Sequence, residues 1–424
     1  MIKTIFTSPN RKYKEVNNMG EMIKLFIAII VLSGMVMPAI GSLNNEDNDR
    51  IIISLDSSDA KPAILDAIKN HNGVVLKEIT AINAIVVTIP KNLRASLASD
   101  ARVVKYARYI EEDARISIPP MKITILPENS IALAPNDPLY PEQWGIRMIQ
   151  ANYSWDVTTG VENMIVAVID TGVDYTHEDL GAVNASIGWD FVNDDPDAMD
   201  DNGHGTHVAG IVAATINNNI GVTGVAPGIT VMPVKVLNAA GSGYISDIAS
   251  GITYAADNGA KILSMSLGSW FPSKTLEDAT KYAVITKGTL VFAAAGNDGI
   301  QIKTYPAAYD WVVAIAAVGY DGTRARYSNT GSFVDLAAPG GSNDGIETHD
   351  ILSTWTGNQY AYAAGTSMAT PHASGVAALY WSYAPSMTNA QIGRALIKNA
   401  DDKGAAGRDN YYGYGLVDAW PYNG

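Results

Sequence analysis

The C-terminal two-thirds of the chain alternates short runs of consecutive apolar residues with segments of helical apolar spacing. The apolar runs are NMIVAVID (163–170), TVMPVKVL (230–237), KILSMSLG (261–268) and TLVFAAAGN (289–297). Because these runs are apolar at consecutive positions, they predict strands buried on both faces of a parallel sheet. Helical patterns lie between and around the runs, as in YISDIASGITYAADNG (244–259). This alternation predicts an α/β fold, a doubly wound and mostly parallel sheet flanked by helices, with its chemistry at the carboxyl ends of the strands.

A different pattern occupies residues 50–118 and predicts a small α+β domain. Strand patterns at 51–56, 82–90 and 103–113 alternate with helical patterns at 59–73 and 92–100. The following stretch, ISIPPMKITILPENSIALAPNDP (116–138), is rich in proline and has no period, which predicts a linker over 119–135.

The stretch KLFIAIIVLSGMVMPAIG (24–41) begins with a lysine, continues as an apolar run and ends in small residues. Serine, glycine and proline interrupt it, and it is short for a membrane span, so it predicts a secretory signal peptide and no stable membrane anchor. Met19 or Met22 is the more natural start, and residues 1–18 are interpreted as an upstream extension. We therefore expect a secreted protein.

Composition narrows the function further. A hydrophobic fraction of 47% with 17% charged residues indicates a globular chain. The formal net charge of -14 disfavours nucleic acid and anionic membranes as partners. The chain has no cysteine, which excludes disulfides, thiolate-bound zinc, iron–sulfur clusters and thiol catalysis.

Four residues in the α/β region are candidates for catalysis. Asp170 follows an apolar strand, and His204 lies between two glycines where a helix begins. Ser367 lies at the start of a long apolar helix, where its own backbone N–H is unpaired and could bind an oxyanion, and Asn297 closes a buried strand. Each residue alone also fits a structural role, such as a turn aspartate or an N-cap serine.

The spacing of His204 and His207 leaves two chemistries open. Both histidines lie behind a cluster of aspartates, so they could be metal ligands of a metallohydrolase, or His204 could be a base and His207 a packed helical residue. An α/β-hydrolase esterase would need G-x-S-x-G and the order serine, acid, histidine, whereas the chain has GTSMA and the order Asp170, His204, Ser367. An inactive binding domain on the same fold is the third alternative.

The motifs VIDTGVD, HGTHVAG and GTSMATPHASG, in this order and with AAAGN before the last, resemble the subtilisin-like serine proteases. The resemblance covers about residues 136–424 and is closest to the thermitase-like branch. It implies that Ser367 is the nucleophile and that His204 is the general base and acid. Asp170 would then orient the imidazole, and Asn297 with the Ser367 amide would bind the oxyanion. The chain would then be a serine endopeptidase whose reaction passes through an acyl-enzyme intermediate.

The resemblance also implies a substrate groove for extended polypeptides. Its two edges would be Gly241, Ser242 and Gly243 on one side and Ser266, Leu267 and Gly268 on the other. Main-chain pairing with both edges predicts broad specificity. Asp298 would lie at the rim of the first specificity pocket, where basic side chains could be tolerated.

Structural calcium is a further implication of the thermitase-like resemblance. One ion would be bound by the side chains of Asp137, Asp179 and Asn218 with the backbone carbonyls of Thr215, Ile220 and Val222. Such oxygen-only ligands favour calcium over zinc or magnesium. A second ion is expected in the acidic loop, with Asp190, Asp195 and Asp197 as ligands.

The domain at 50–118 resembles the propeptide of such proteases. This resemblance implies a ferredoxin-like folding chaperone and temporary inhibitor, removed by self-cleavage between Ile118 and Asn136, and its alternative is a permanently attached binding domain. The expected partners are polypeptide substrates and the chain's own propeptide, and the mature enzyme is expected to be a monomer.

Overall fold

The computed structural model describes residues 48–118, 123–125 and 135–420. The predicted upstream extension and signal peptide at 1–41 and most of the predicted linker lie outside these residues. Within the described ranges, no helix has both the length and the apolar character needed to cross a bilayer.

Residues 48–118 form a separate α+β domain with a four-stranded antiparallel sheet in the order β2-β3-β1-β4, the ferredoxin-like arrangement. Alternate residues of β1 explain why this sheet has two apolar faces. Ile51 and Ile53 pack against the domain's own helices, whereas Ile52 joins the core of the larger domain. The elements are β1 Asn48–Leu55, α1 Lys61–Asn70, β2 Val74–Ile79, β3 Ala84–Pro90, α2 Lys91–Ala98, α3 Ala101–Tyr106 and β4 Ala107–Glu112.

Three local features of the N-terminal third differ from the sequence predictions or were missed by them. The predicted strand at 103–113 begins with helix α3, because the Asp100 side chain accepts the Arg102 N–H as an N-cap. β2 was not predicted from its sequence. Strand β5, Arg115–Ser117, lies just before the predicted linker at 119–135, and the described part of that linker at Ile123–Ile125 forms strand β6.

The larger domain is built on a seven-stranded sheet in which every paired strand is parallel, in the order β14-β13-β12-β11-β7-β9-β8. This confirms the predicted α/β fold. Its core strands are apolar at successive positions because helices cover both faces. The strands of the larger domain, of which β10, β15 and β16 lie outside this sheet, are β7 Ile165–Asp170, β8 Trp189–Asp190, β9 Thr230–Lys235, β10 Ser242–Tyr244, β11 Ile262–Met265, β12 Leu290–Ala294, β13 Val313–Val318, β14 Leu336–Pro339, β15 Ile351–Trp355 and β16 Gln359–Ala363.

Two helices, α6 and α9, are buried along almost their whole length and pack against each other. Their sequences are apolar or small on all sides, as expected for helices enclosed by a sheet and further helices. Strands β15, β16 and β6 form a small antiparallel sheet beside α6. The helices are α4 Trp144–Met148, α5 Ala151–Ser154, α6 His204–Ala213, α7 Ile245–Asp257, α8 Lys274–Lys281 with a π-helical turn at Tyr282–Thr286, α9 Thr366–Tyr383 and α10 Asn389–Asn399.

Candidate active site

The carboxyl ends of two adjacent strands bring the candidate residues together. β7 ends at Asp170, and its parallel neighbour β11 aligns Ser264 with Val168, so Ser266 lies level with Asp170. The Ser367 hydroxyl donates to the Ser266 carbonyl at 3.3 Å, and the Ser266 hydroxyl donates to the Ser367 carbonyl at 2.7 Å. The first turn of α9 is therefore tied to the edge of the sheet at which β7 delivers its aspartate.

Asp170 and His204 form a buried hydrogen-bonded pair. His204 Nδ1 lies 2.6 Å from Asp170 Oδ1, and both side chains are almost fully buried. Since a carboxylate accepts, Nδ1 is the protonated nitrogen and Nε2 carries the lone pair. Among the described residues His204 Nε2 has no hydrogen-bond partner, so it is free to accept a proton.

His204 is the first residue of α6, and the turn before it explains its orientation. Gly203, the N-cap, has φ of 109°, in the left-handed region that favours glycine. A side chain there would also collide with the Trp355 ring, because a Cβ added to Gly203 would lie 2.3 Å from the nearest ring carbon. The close turn thus lets the helix start directly beside β7.

Asn297 and the Ser367 amide border one small space, as expected for two oxyanion donors. The Asn297 Oδ1 accepts the Thr366 N–H at 2.9 Å and the Thr366 hydroxyl at 2.7 Å, which turns the amide Nδ2 outward. A Cβ placed on Gly365 would lie 3.1 Å from Asn297 Nδ2 and 3.6 Å from the Ser367 nitrogen. Both donor nitrogens therefore lie within 3.6 Å of one point at the start of α9.

The predicted groove edges pair with the chain's own segment 115–118. β5 pairs antiparallel with β10, aligning Ser117 with Ser242 and Ile116 with Gly243, and the Ile118 N–H donates to the Gly241 carbonyl at 2.9 Å. On its other side Ser117 forms an antiparallel bridge to Gly268. The segment is thus the middle strand between the two edges that the sequence predicts to bind substrate.

A cavity of about 90 Å³ opens beside the Ser367 hydroxyl. Leu267, Asn297 and Asp298 contribute to its wall, in agreement with the predicted position of Asp298, and Trp270 also lines it. The Asp298 Oδ2 accepts the Trp270 indole N–H at 3.1 Å and the Asn329 amide at 3.0 Å. No sequence motif pointed to Trp270, which follows two residues after the predicted groove edge at Ser266, Leu267 and Gly268.

His207 is a packed residue, not the second ligand of a metal site. Its Nε2 lies 2.9 Å from the Ala361 carbonyl and 3.1 Å from the Ile351 carbonyl, so this nitrogen is the donor. Burial lowers the pKa of His207 to about 3. No group of three or more His, Asp or Glu side chains arranged to hold a metal occurs in the part of the chain described. The metallohydrolase reading of His204 and His207 is therefore not supported.

Asp137 and Asp179, the first predicted calcium ligands, are both fully buried next to one loop. Asp137 accepts the N–H groups of Asn217 and Asn218, while Asp179 accepts the Val222 N–H at 2.8 Å and the Asn218 amide at 2.7 Å. Burial raises the pKa of Asp179 to about 7, and the neighbouring Asp137 charge adds to the rise. Neither carboxylate has a Lys or Arg partner among the described residues.

The three aspartates of the second predicted site serve local turns. Asp190 accepts two backbone N–H groups and the Asn193 amide, Asp195 accepts the Asp197 N–H, and Asp197 accepts the Tyr175 hydroxyl at 2.6 Å. A calcium ion in this loop stays a prediction.

Comparison with known proteins agrees with this geometry. A profile described as "Subtilase family" matches residues 162–415. The chain is 46% identical to "Thermophilic serine proteinase" of Bacillus sp. (strain AK1) over 68% of this chain and 69% of that protein. It is 43% identical to "Thermitase" of Thermoactinomyces vulgaris over 68% of this chain and 98% of that protein.

Among solved structures, the chain is similar to fervidolysin from Fervidobacterium pennivorans, described as "a keratinolytic enzyme related to subtilisin". The TM-score is 0.75 with 30% identity, and the match covers 89% of this chain and 61% of fervidolysin. A protease from Pseudoalteromonas arctica PAMC 21717 matches with a TM-score of 0.62 and 36% identity, over 68% of this chain and 98% of that one. The chain belongs to the subtilase family of serine proteases.

Proposed function

We propose that the chain is a secreted serine endopeptidase, made as a self-processing zymogen, with Asp170, His204 and Ser367 as its catalytic triad. The observation that supports this most strongly is the buried Asp170–His204 hydrogen bond of 2.6 Å, which leaves His204 Nε2 without a partner among the described residues on a helix that packs against α9, whose second residue is Ser367. The hydroxyl at rest donates to the Ser266 carbonyl, and the proposal requires it to turn from there to the imidazole before the attack.

In the reaction, the Ser367 Oγ attacks the substrate carbonyl carbon while His204 Nε2 takes the hydroxyl proton. The carbonyl oxygen becomes an oxyanion between the Ser367 N–H and Asn297 Nδ2, whose nitrogens both lie within 3.6 Å of one point beside Gly365. The C–N bond then breaks as His204 returns the proton to the leaving amine. Water hydrolyses the acyl-enzyme by the same steps, with His204 again acting first as base and then as acid.

The mode of substrate binding follows from how segment 115–118 is held. An extended peptide pairs with Gly241–Gly243 on one side and with Gly268 on the other, mostly through main-chain atoms that every peptide has. This supports broad specificity. The small cavity with Asp298 at its wall then accepts one substrate side chain, and its carboxylate favours a basic one.

The 50–118 domain acts in this proposal as an inhibitor and folding template. Its segment 115–118 excludes substrate from the groove, and two of its carboxylates cap helices of the peptidase domain. Glu111 accepts the N–H groups of Lys274 and Thr275 at the start of α8, both at 2.9 Å. Asp113 accepts the Ser246 N–H at 2.8 Å in the first turn of α7. Both contacts place negative charge at a helix N-terminus, where it is stabilising.

Structural calcium at Asp137 and Asp179 is part of the proposal. The two buried carboxylates have no basic partner among the described residues and supply the hard oxygen ligands that calcium takes, whereas the Asn218 amide donates its nitrogen to Asp179 and would have to turn its oxygen towards the ion. Bound calcium would offset their mutual repulsion and stabilise the folded chain by mass action. It has no part in the reaction steps.

The test is expression of the wild-type chain beside Ser367→Ala. We expect the wild type to appear as a fragment that begins between Ile118 and Asn136 and hydrolyses peptides. The variant should keep the 50–118 domain attached and show no peptidase activity, because it lacks the nucleophile. Added wild-type enzyme should process the variant in trans, which shows that its cleavage site is accessible.

Two results would overturn the assignment. One is peptidase activity in Ser367→Ala equal to that of the wild type. The other is inactivation of the wild type by a zinc chelator, combined with indifference to a covalent serine reagent.

A further inference from the structure

Lys235 is a buried cation beside the proposed triad, and the reaction steps above do not use it. It is the last residue of β9, pairs in register with Asp170, and is only 1% exposed. Its Nζ donates to the Thr171 carbonyl at 2.7 Å, the Leu237 carbonyl at 2.9 Å and the Asp201 carboxylate at 2.6 Å. All three ammonium protons therefore have acceptors, and one acceptor belongs to the residue directly after Asp170.

Asp200 is a buried anion on the other side of the same turn. Its Oδ1 accepts the Thr171 hydroxyl at 2.8 Å and the Gly203 N–H at 3.0 Å, and its Oδ2 accepts the Thr206 N–H and hydroxyl. The Thr171 oxygen in turn accepts the Gly205 N–H at 2.9 Å. Thr171 is thus held by Lys235 through its carbonyl and by Asp200 through its side chain, and this frame joins the end of β7 to the first turn of α6.

The charge balance of the site gives Lys235 a second role. Asp170 Oδ1 accepts both His204 Nδ1 and the Thr171 N–H, whereas Oδ2 is buried with no donor among the described residues. A buried carboxylate with an unpaired oxygen depends on nearby positive charge. The charged and titratable groups around the Asp170–His204 pair, on the segments that pack against it, are Asp174, Asp200, Asp201, His207, Lys235 and His372. Lys235 is the permanent cation in this set.

We infer that Lys235 is a positioning residue for the hydrolysis: it fixes Thr171, and with it Asp170 and the imidazole that Asp170 orients, and it places a positive charge beside the two buried carboxylates of this frame. The inference rests on the proposed function. Without the ammonium, the buried carboxylates favour the protonated imidazole, so a larger fraction of the enzyme has a base that is already occupied.

Lys235→Met and Asp201→Asn are a matched pair of variants for the test. Both remove the Lys235–Asp201 ion pair, but only Lys235→Met removes the buried charge, since Asp201 is 51% exposed and its replacement leaves the ammonium on its two carbonyls. Each full-length chain is expressed, allowed to mature, titrated for active sites with a covalent serine reagent, and assayed on a peptide amide from pH 5 to 10.

For Lys235→Met we expect the acid limb of the kcat/KM profile to move to higher pH by about half a unit. Per titrated site, kcat should fall about 10-fold and KM should change less than twofold, because the substrate groove is untouched. Asp201→Asn should leave the acid limb in place. An unmoved acid limb in Lys235→Met, or an equal shift in Asp201→Asn, would overturn the inference.

Asp200→Asn provides a second test that does not depend on recovering Lys235→Met. Removal of a buried negative charge disfavours the protonated imidazole, so the acid limb should move to lower pH, opposite to the effect of Lys235→Met. A shift in the same direction, or none, would count against charge control by this frame. These outcomes are separate from the proposed function, which fails if Ser367→Ala remains active or if a zinc chelator, and not a covalent serine reagent, inactivates the wild type.

Discussion

Gly365→Ala tests the proposed oxyanion site, because it adds one methyl group between the two donors. The new Cβ would lie 3.1 Å from Asn297 Nδ2 and 3.6 Å from the Ser367 nitrogen. Gly365 has φ of 167°, an extended conformation that alanine also adopts, so the backbone is not strained. Asn297 cannot retreat without losing the Thr366 contacts at 2.9 and 2.7 Å that hold its oxygen.

The methyl group therefore occupies the position at which the oxyanion develops. Loss of one oxyanion donor costs about 2.7 kcal/mol or more, which corresponds to a fall in kcat of about 100-fold or more. We expect this fall with little change in KM, and a melting temperature within a few degrees of the wild type. The measurement is peptide amide hydrolysis per active site, titrated with a covalent serine reagent, alongside thermal unfolding of the Ser367→Ala background.

A double-mutant cycle with Asn297→Ala provides the control. If both changes act on the same donor, the double variant should lose little more than Asn297→Ala alone. Unchanged kcat in Gly365→Ala, or fully additive losses in the double variant, would show that the oxyanion does not form between these two amides.

Three further predictions concern the base, the metal and the buried histidines. Asp170→Asn should lower kcat by about four orders of magnitude while leaving KM and the fold nearly unchanged, because the amide no longer fixes the Nδ1–H tautomer of His204; kinetics per titrated site measure this, and a loss below tenfold would contradict the orienting role. Removing calcium with a chelator should lower the melting temperature of Ser367→Ala, and calcium but not magnesium should restore it; in Asp179→Asn this response should be largely lost, and an unchanged response would refute the site. Burial lowers the pKa of His207 to about 3 and of His372 to about 4, so the stability linked to these groups is fully present above about pH 6.5 and is lost as the pH falls towards those values. Each histidine should lower the free energy of unfolding by about 1.4 kcal/mol per pH unit below pH 6.5, so His372→Gln in Ser367→Ala should reduce the pH slope of denaturant unfolding by about that amount.

The main fold was predictable because its strands are apolar at consecutive positions. The candidate catalytic residues were predictable because each lies within two residues of a glycine at the end of a strand or the start of a helix. Asp170, His204, Asn297 and Ser367 each belong to a short local pattern, and the parallel register brings these patterns to one edge. A local sequence pattern is sufficient here, because the fold itself determines where strand ends meet.

The missed features depend on contacts between distant segments. β2 has alternating exposure at a sheet edge, and its pairing with β3 is what stabilises it. α3 is short, and its β-branched and aromatic residues favour a strand until the Asp100 cap and packing against α1 are considered. In the site, Lys235 and Thr366 act through hydrogen bonds to residues more than 60 positions away, which no local period encodes.

The parallel sheet also has a consequence for folding kinetics. β7 pairs with β9 and β11, which follow it by about 65 and 100 residues. The chain therefore loses the entropy of closing a long loop before the strand contacts can stabilise each pairing. The ferredoxin-like domain has a core of its own and touches the first turns of α7 and α8 through Asp113 and Glu111. A chain that has lost this domain keeps the contacts within the peptidase domain but lacks the two carboxylates that bind the first turns of α7 and α8. We therefore expect the matured enzyme to remain folded because it unfolds slowly, and to refold poorly once it has been denatured.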